Sequence, residues 1–150
     1  MHPVFRYIIE NYSYAVVTQC SEQSCKLKLD CLSQFSEYVI LKGEKLGISD
    51  KICDYLIFLR KSKIIICAIE MKAKNWAPDK VKEQIENGWI KAQKIIQETK
   101  QSISIEHLSL IPMLLKKRSN PIDVRQLKKY KIGKQSIIIR NCGLSLSQVL

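Results

Sequence analysis

Two apolar runs, residues 53–59 and 64–69, stand almost end to end in the middle of the chain, parted by a short polar stretch containing Lys61-Ser62-Lys63. Both are short, rich in Ile and Leu, and bounded by polar residues, the pattern of two strands joined by a hairpin. The second run is apolar at every position. That predicts a strand covered by helices on both sides and central in its sheet. Beyond it the period changes. Val81, Ile85, Trp89, Ala92 and Ile96 recur at helical spacing, predicting a helix from about Lys80 to Thr99 with Asp79 as its N-cap. Gly88 in the middle of this helix costs about 1 kcal/mol against alanine, so a close approach to the sheet is expected there.

The flanking segments are read more coarsely. Residues 4–17 carry Phe5, Ile8, Ile9 and Tyr12 at helical spacing and predict a helix followed by a turn. Residues 21–32 are polar and dotted with cysteines, a loop or extended stretch. Residues 35–41 read as the first core strand, and Gly43 and Gly47 punctuate a turn region ending at Ser49-Asp50. A further strand is expected at 106–115, where Pro112 favours an edge or a bulge. Asn120-Pro121-Ile122-Asp123 makes a turn into a short basic helix ending near Tyr130. The β-branched Ile137-Ile138-Ile139 centres a last strand at 135–140, and residues 145–150 form a tail. The order αβββαβαβ gives a single α/β domain with a central mixed sheet flanked by helices.

The chemistry sits at the ends of the two central strands. Asp54 opens the first, and Glu70-Met71-Lys72 closes the second. Side chains alternate along a strand, so Glu70 and Lys72 project together while Met71 points away. A hairpin brings Asp54 to the same sheet edge. A carboxylate beside a buried run needs a partner, either Lys72 or a metal ion. Two carboxylates suit a hard cation such as Mg²⁺, whose remaining ligands are water and substrate phosphate. Glu-x-Lys also arises as a plain ion pair at strand ends, and Gln84 reads equally well as an exposed helix-favouring residue. Trp76, between Lys74 and the helix start, either contacts a substrate or caps the core.

Asp54, the apolar strand, Glu70 and Lys72 together resemble the PD-(D/E)XK nuclease superfamily, whose fold is the restriction-endonuclease-like domain. The likeness covers residues 48–98, with Cys53 standing where the family name has proline. It implies a Mg²⁺- or Mn²⁺-dependent endonuclease acting on DNA in preference to RNA. Asp54, Glu70 and the Met71 carbonyl would bind the metal, Lys72 would position or activate water, and Gln84 would support the site. An amino-terminal acid is common in the family; Glu10, Glu37 and Glu44 are the candidates. Family members often act as homodimers.

Charge supports a polyanionic partner. The chain has 150 residues and a net charge of +11. Nine basic residues (Lys116, Lys117, Arg118, Arg125, Lys128, Lys129, Lys131, Lys134 and Arg140) face one acid, Asp123, so this segment supplies +8 of the total. With Lys74 they form the expected phosphate-binding face, whose affinity would be sequence-independent and salt-sensitive. A lysine-rich surface produced by AT-rich coding is the plainer account of the same charge. No window nears the eighteen apolar residues of a membrane span and no signal-peptide pattern opens the chain, so cytoplasmic residence is expected. The six cysteines lack the paired spacing of zinc knuckles, and reduced thiols are expected in that compartment. Two non-enzymatic readings stand beside the nuclease. One is a nucleic-acid-binding module of the same fold; the other is a protein-interaction module, for example in a defence or anti-defence system.

Overall fold

The structure is a computed structural model that describes residues 1–47, 51–100 and 107–150. Its centre is the expected hairpin. β5 (Tyr55–Arg60) and β6 (Ile64–Lys72) pair antiparallel from Arg60 opposite Ile64 to Tyr55 opposite Ile69. β4 (Glu37–Lys42) pairs antiparallel with β5, and the two-residue β1 (Val16–Val17) edges β4. On the other side β7 (Leu108–Lys116) and then β10 (Ile138–Asn141) add in parallel. The result is a mixed six-stranded sheet in the order β1-β4-β5-β6-β7-β10, with an α/β layout. The strand expected at 106–115 is thus β7; Glu106 itself, like Ser49-Asp50, lies outside the described residues.

The three α-helices of the described residues contribute to the core on one face of the sheet. α1 (Pro3–Asn11), α2 (Pro78–Glu98) and α3 (Pro121–Lys129) bury Phe5, Ile8, Ile85 and Leu127 against Leu56, Phe58, Ile66 and Ala68. β6 is buried on both faces, as its apolar run requires, but among the described residues no α-helix covers the second face. A small hairpin, β2 (Cys20–Glu22) with β3 (Cys25–Leu27), and the segment around Leu146 pack there on Ile57, Cys67, Ile69 and Met113. Residues 21–32 were too short of pattern to announce this cover. Cys25 and Cys142 are joined by a disulfide, which corrects the expectation of six reduced thiols. The other four cysteines are free and buried. Backbone bonds from Lys28 to Leu144 and from Gly143 to Lys26 run beside the disulfide and lace the hairpin to the chain after β10.

α2 begins two residues earlier than its apolar stripe predicts. Pro78 opens it, a position where the missing N–H is no loss, and Ala77 is the N-cap. Asp79 lies in the first turn instead, where its carboxylate accepts from the hydroxyl of Tyr130 at the end of α3. Gly88 meets its expectation closely: a Cβ there would stand 2.3 Å from Cys53 Sγ. Pro112 lies inside β7 opposite Ala68, yet the β10 ladder begins only at Met113, so one side of Pro112 is unladdered as proline requires. The last predicted strand is divided. Gln135–Ser136 (β9) pairs with Lys131–Ile132 (β8), Ile137 is buried, and β10 continues from Ile138 into the main sheet.

Candidate active site

The register of β5 on β6 sets Tyr55 opposite Ile69, so Asp54 and Glu70 follow as neighbours at the sheet edge. Two backbone bonds clasp them. The Asp54 N–H donates to Glu70 Oε1 at 3.1 Å, and the Met71 N–H donates to Asp54 Oδ2 at 2.7 Å. Lys72 Nζ lies 3.2 Å from Glu70 Oε2. Asp54, Glu70 and Lys72 are therefore brought together as the spacing predicts. The Met71 side chain is buried in the opposite-face core. Its N–H points toward Asp54, and in an extended strand the carbonyl of the same residue points to the same side.

Glu70 is only 1% exposed. Burial, then the charge and direct contact of Asp54, push its carboxyl up to about 8, against the pull of the Lys72 ammonium. Glu70 so raised keeps its proton near neutral pH unless a cation takes its place. This donor chemistry fits a divalent oxygen-seeking ion, with Asp54, Glu70 and the Met71 carbonyl as the groups available to it. Among the described residues no three His, Cys, Asp or Glu side chains gather as a metal-binding group. The rest of such an ion's shell would fall to water and substrate.

α2 supports the site from the helix side. The Gln84 carbonyl accepts from the Cys53 N–H at 2.9 Å, and Gly88 lets the helix close over the Cys53 thiol. Both contacts hold the residue immediately before Asp54. Gln84 is buried, which rules out its reading as an exposed helix-former. It lines a cavity of about 380 Å³ together with Lys51, Lys72, Lys80, Asn75 and Trp76. Asp54 and Glu70 do not line this space; Lys72 borders it and pairs with Glu70.

The amino-terminal acids separate. Glu37 lies at the far end of β4, bound to Arg60 Nε at 2.7 Å and to the His2 N–H, roughly 20 Å along the ladder from Asp54. Glu10 is exposed on α1, which packs against β4. Glu44 pairs with Lys42 at 3.1 Å, and Lys42 lies 3.9 Å from Glu22. Glu22, on β2, is the acid that sequence reasoning missed. Burial and then the charge of Asp54 raise its carboxyl, with Lys42 opposing. Tyr55 holds β2 in place, its hydroxyl donating to the Ser21 carbonyl at 2.7 Å. Nothing in the string Ser-Glu-Gln-Ser announces this approach, because the hairpin that creates it crosses the sheet's second face.

The basic segment divides too. Lys116 is paired in register with Lys72, and the Lys117 N–H donates to the Lys72 carbonyl at 3.1 Å. The Arg118 carbonyl accepts from Trp76 Nε1 at 3.2 Å. Lys116, Lys117 and Arg118 therefore border the site, as does exposed Lys74 in the loop after β6. Arg140 sits one strand further out, opposite Leu115. Arg125, Lys128 and Lys129 lie along the exposed side of α3, and Lys131 and Lys134 in the hairpin beyond it, about 13 Å down that helix. Lys51 and Lys80, which sequence reasoning passed over, line the cavity instead.

Comparison with family models, with curated proteins and with solved structures returns no match. Among the described residues no helix is long and apolar enough to cross a membrane.

Proposed function

We propose that the protein is a metal-dependent nuclease of the restriction-endonuclease-like fold that hydrolyses phosphodiester bonds in DNA. The observation that carries this reading is the clasp of Asp54 and Glu70 at the mouth of the β5–β6 hairpin, with Lys72 3.2 Å from the buried carboxylate. Mg²⁺ or Mn²⁺ held by Asp54, Glu70 and the Met71 carbonyl would acidify a water and neutralise charge on the phosphoryl oxygens. Glu70, raised by burial, is the group that gives up a proton when a cation enters. Lys72 reaches from Glu70 into the cavity and is placed to orient the attacking water or stabilise the developing negative charge. Gln84 lines the same space, and Lys74, Lys116, Lys117 and Arg118 offer charge to the flanking phosphates. Cytoplasmic residence suits this substrate.

One observation favours a second reading, a nucleic-acid-binding module of the same fold without turnover. Neither carboxylate lines the cavity, whereas Lys51, Lys72 and Lys80 do. The test is cleavage of linear, nicked, branched and single-stranded DNA, and of matched RNA, in Mg²⁺ or Mn²⁺. Wild-type protein should cleave, EDTA should stop it, and Glu70→Ala and Lys72→Ala should each reduce the rate at least a hundredfold while remaining folded. Folded wild-type protein no more active than these variants would leave the binding module as the function.

A further inference from the structure

The loop between β6 and α2 carries Trp76, four residues beyond Lys72. Its ring packs partly against the helix-side core, and its Nε1–H donates to the Arg118 carbonyl. These two attachments hold the indole in one orientation. A second cavity, about 330 Å³, adjoins the first and is lined by Arg118, Ser119 and Asn120. Trp76 and Asn75 line both. The indole is thus a wall shared by two spaces, with Lys51, Lys72 and Lys80 on one side and Arg118 on the other. Glu83 and Asp123 are the acids of these linings, one to each side.

Spaces of this size accept a small molecule or one nucleotide unit, not a stacked base pair. Sites that hold single strands combine a cationic track for the phosphates with an aromatic face for the bases, because every base has a π-face. Within a duplex that face is covered by neighbouring bases, so away from the ends stacking on a protein ring requires an unpaired base. We propose that Trp76 is the stacking platform for an unpaired base next to the phosphate held at Lys72, so that the protein prefers single-stranded or frayed DNA to intact duplex. This inference rests on the nucleic-acid reading of the site but does not require turnover.

The test is binding of a short labelled single strand and of its duplex, in EDTA, by fluorescence anisotropy. Wild-type protein should bind the single strand more tightly at equal salt. Trp76→Ala should weaken that binding roughly tenfold or more and duplex binding little, while Trp76→Phe retains most of it. Single-strand binding should also quench tryptophan fluorescence in wild type and much less in Trp76→Phe, where Trp89 remains as the reporter. Equal losses on both DNA forms, or unchanged binding by Trp76→Ala, would overturn the proposal. Should Trp76→Ala not fold, an abasic position scanned through the strand against wild-type protein decides. One position should show the tenfold loss, and uniform tolerance sinks the idea. Cleavage without a single-strand preference removes the stacking platform and leaves the nuclease; the preference without cleavage does the reverse.

Discussion

Glu70 is the one charged side chain among the described residues that is buried, and its ionisation should be visible in the stability of the whole protein. Its carboxyl titrates higher in the folded chain than in the unfolded one, so the folded state keeps a proton that the unfolded state releases. Between pH 4.5 and about 8, metal-free stability should therefore fall as pH rises. Glu70→Gln cannot ionise and should lose that contribution to the slope. Urea unfolding in EDTA across this window measures it, and parallel curves for the two proteins would contradict the assignment. The residues that carry the site were legible because strand alternation is a local rule: Asp54, Glu70 and Lys72 needed only a hairpin and its register to meet. Glu22 was not legible. Its nearness to Asp54 depends on where a three-residue strand crosses the sheet, and three residues carry no period to read.

At the scale of elements, α2 and the β5–β6 hairpin were readable for the same reason: long apolar stripes and short unbroken runs have distinct periods. The start of α2 was misplaced because the apolar stripe begins after Pro78, and proline at the first helical position is the stronger signal. Gly88 is where α2 passes closely over Cys53, just before β5, which yields a substitution whose effect should change sign with its partner. Gly88→Ala alone should destabilise by about 1–3 kcal/mol, since the new Cβ would stand 2.3 Å from Cys53 Sγ. In a Cys53→Ala background the nearest remaining atoms lie at 3.4 and 3.5 Å, an ordinary contact. There the same change should be neutral, or stabilising by up to about 1 kcal/mol from helix propensity. A thermodynamic double-mutant cycle by urea unfolding checks this; additive losses would mean that the helix does not press on Cys53.

For the whole molecule, the unequal covering of the sheet matters most. Among the described residues three α-helices bury one face, while the other depends on a six-residue pair of strands and a carboxyl-terminal segment joined by Cys25–Cys142. No spacing rule connects two cysteines 117 residues apart, so this link could not be read from the chain. Closing so long a loop removes unfolded-state freedom, and reduction should cost about 2–5 kcal/mol of stability. Unfolding with and without a dithiol reductant measures it, Cys142→Ser being indifferent to the reductant. An unchanged wild-type midpoint on reduction would show that the backbone lacing at Lys26 and Lys28 suffices alone. Every group assigned to the site from Asp54 to Arg118 lies between the two sulfurs. A protease that severs one peptide bond anywhere in that span therefore yields no separate halves. The nicked chain should migrate as one band in denaturing electrophoresis until thiol is added, and as two afterwards.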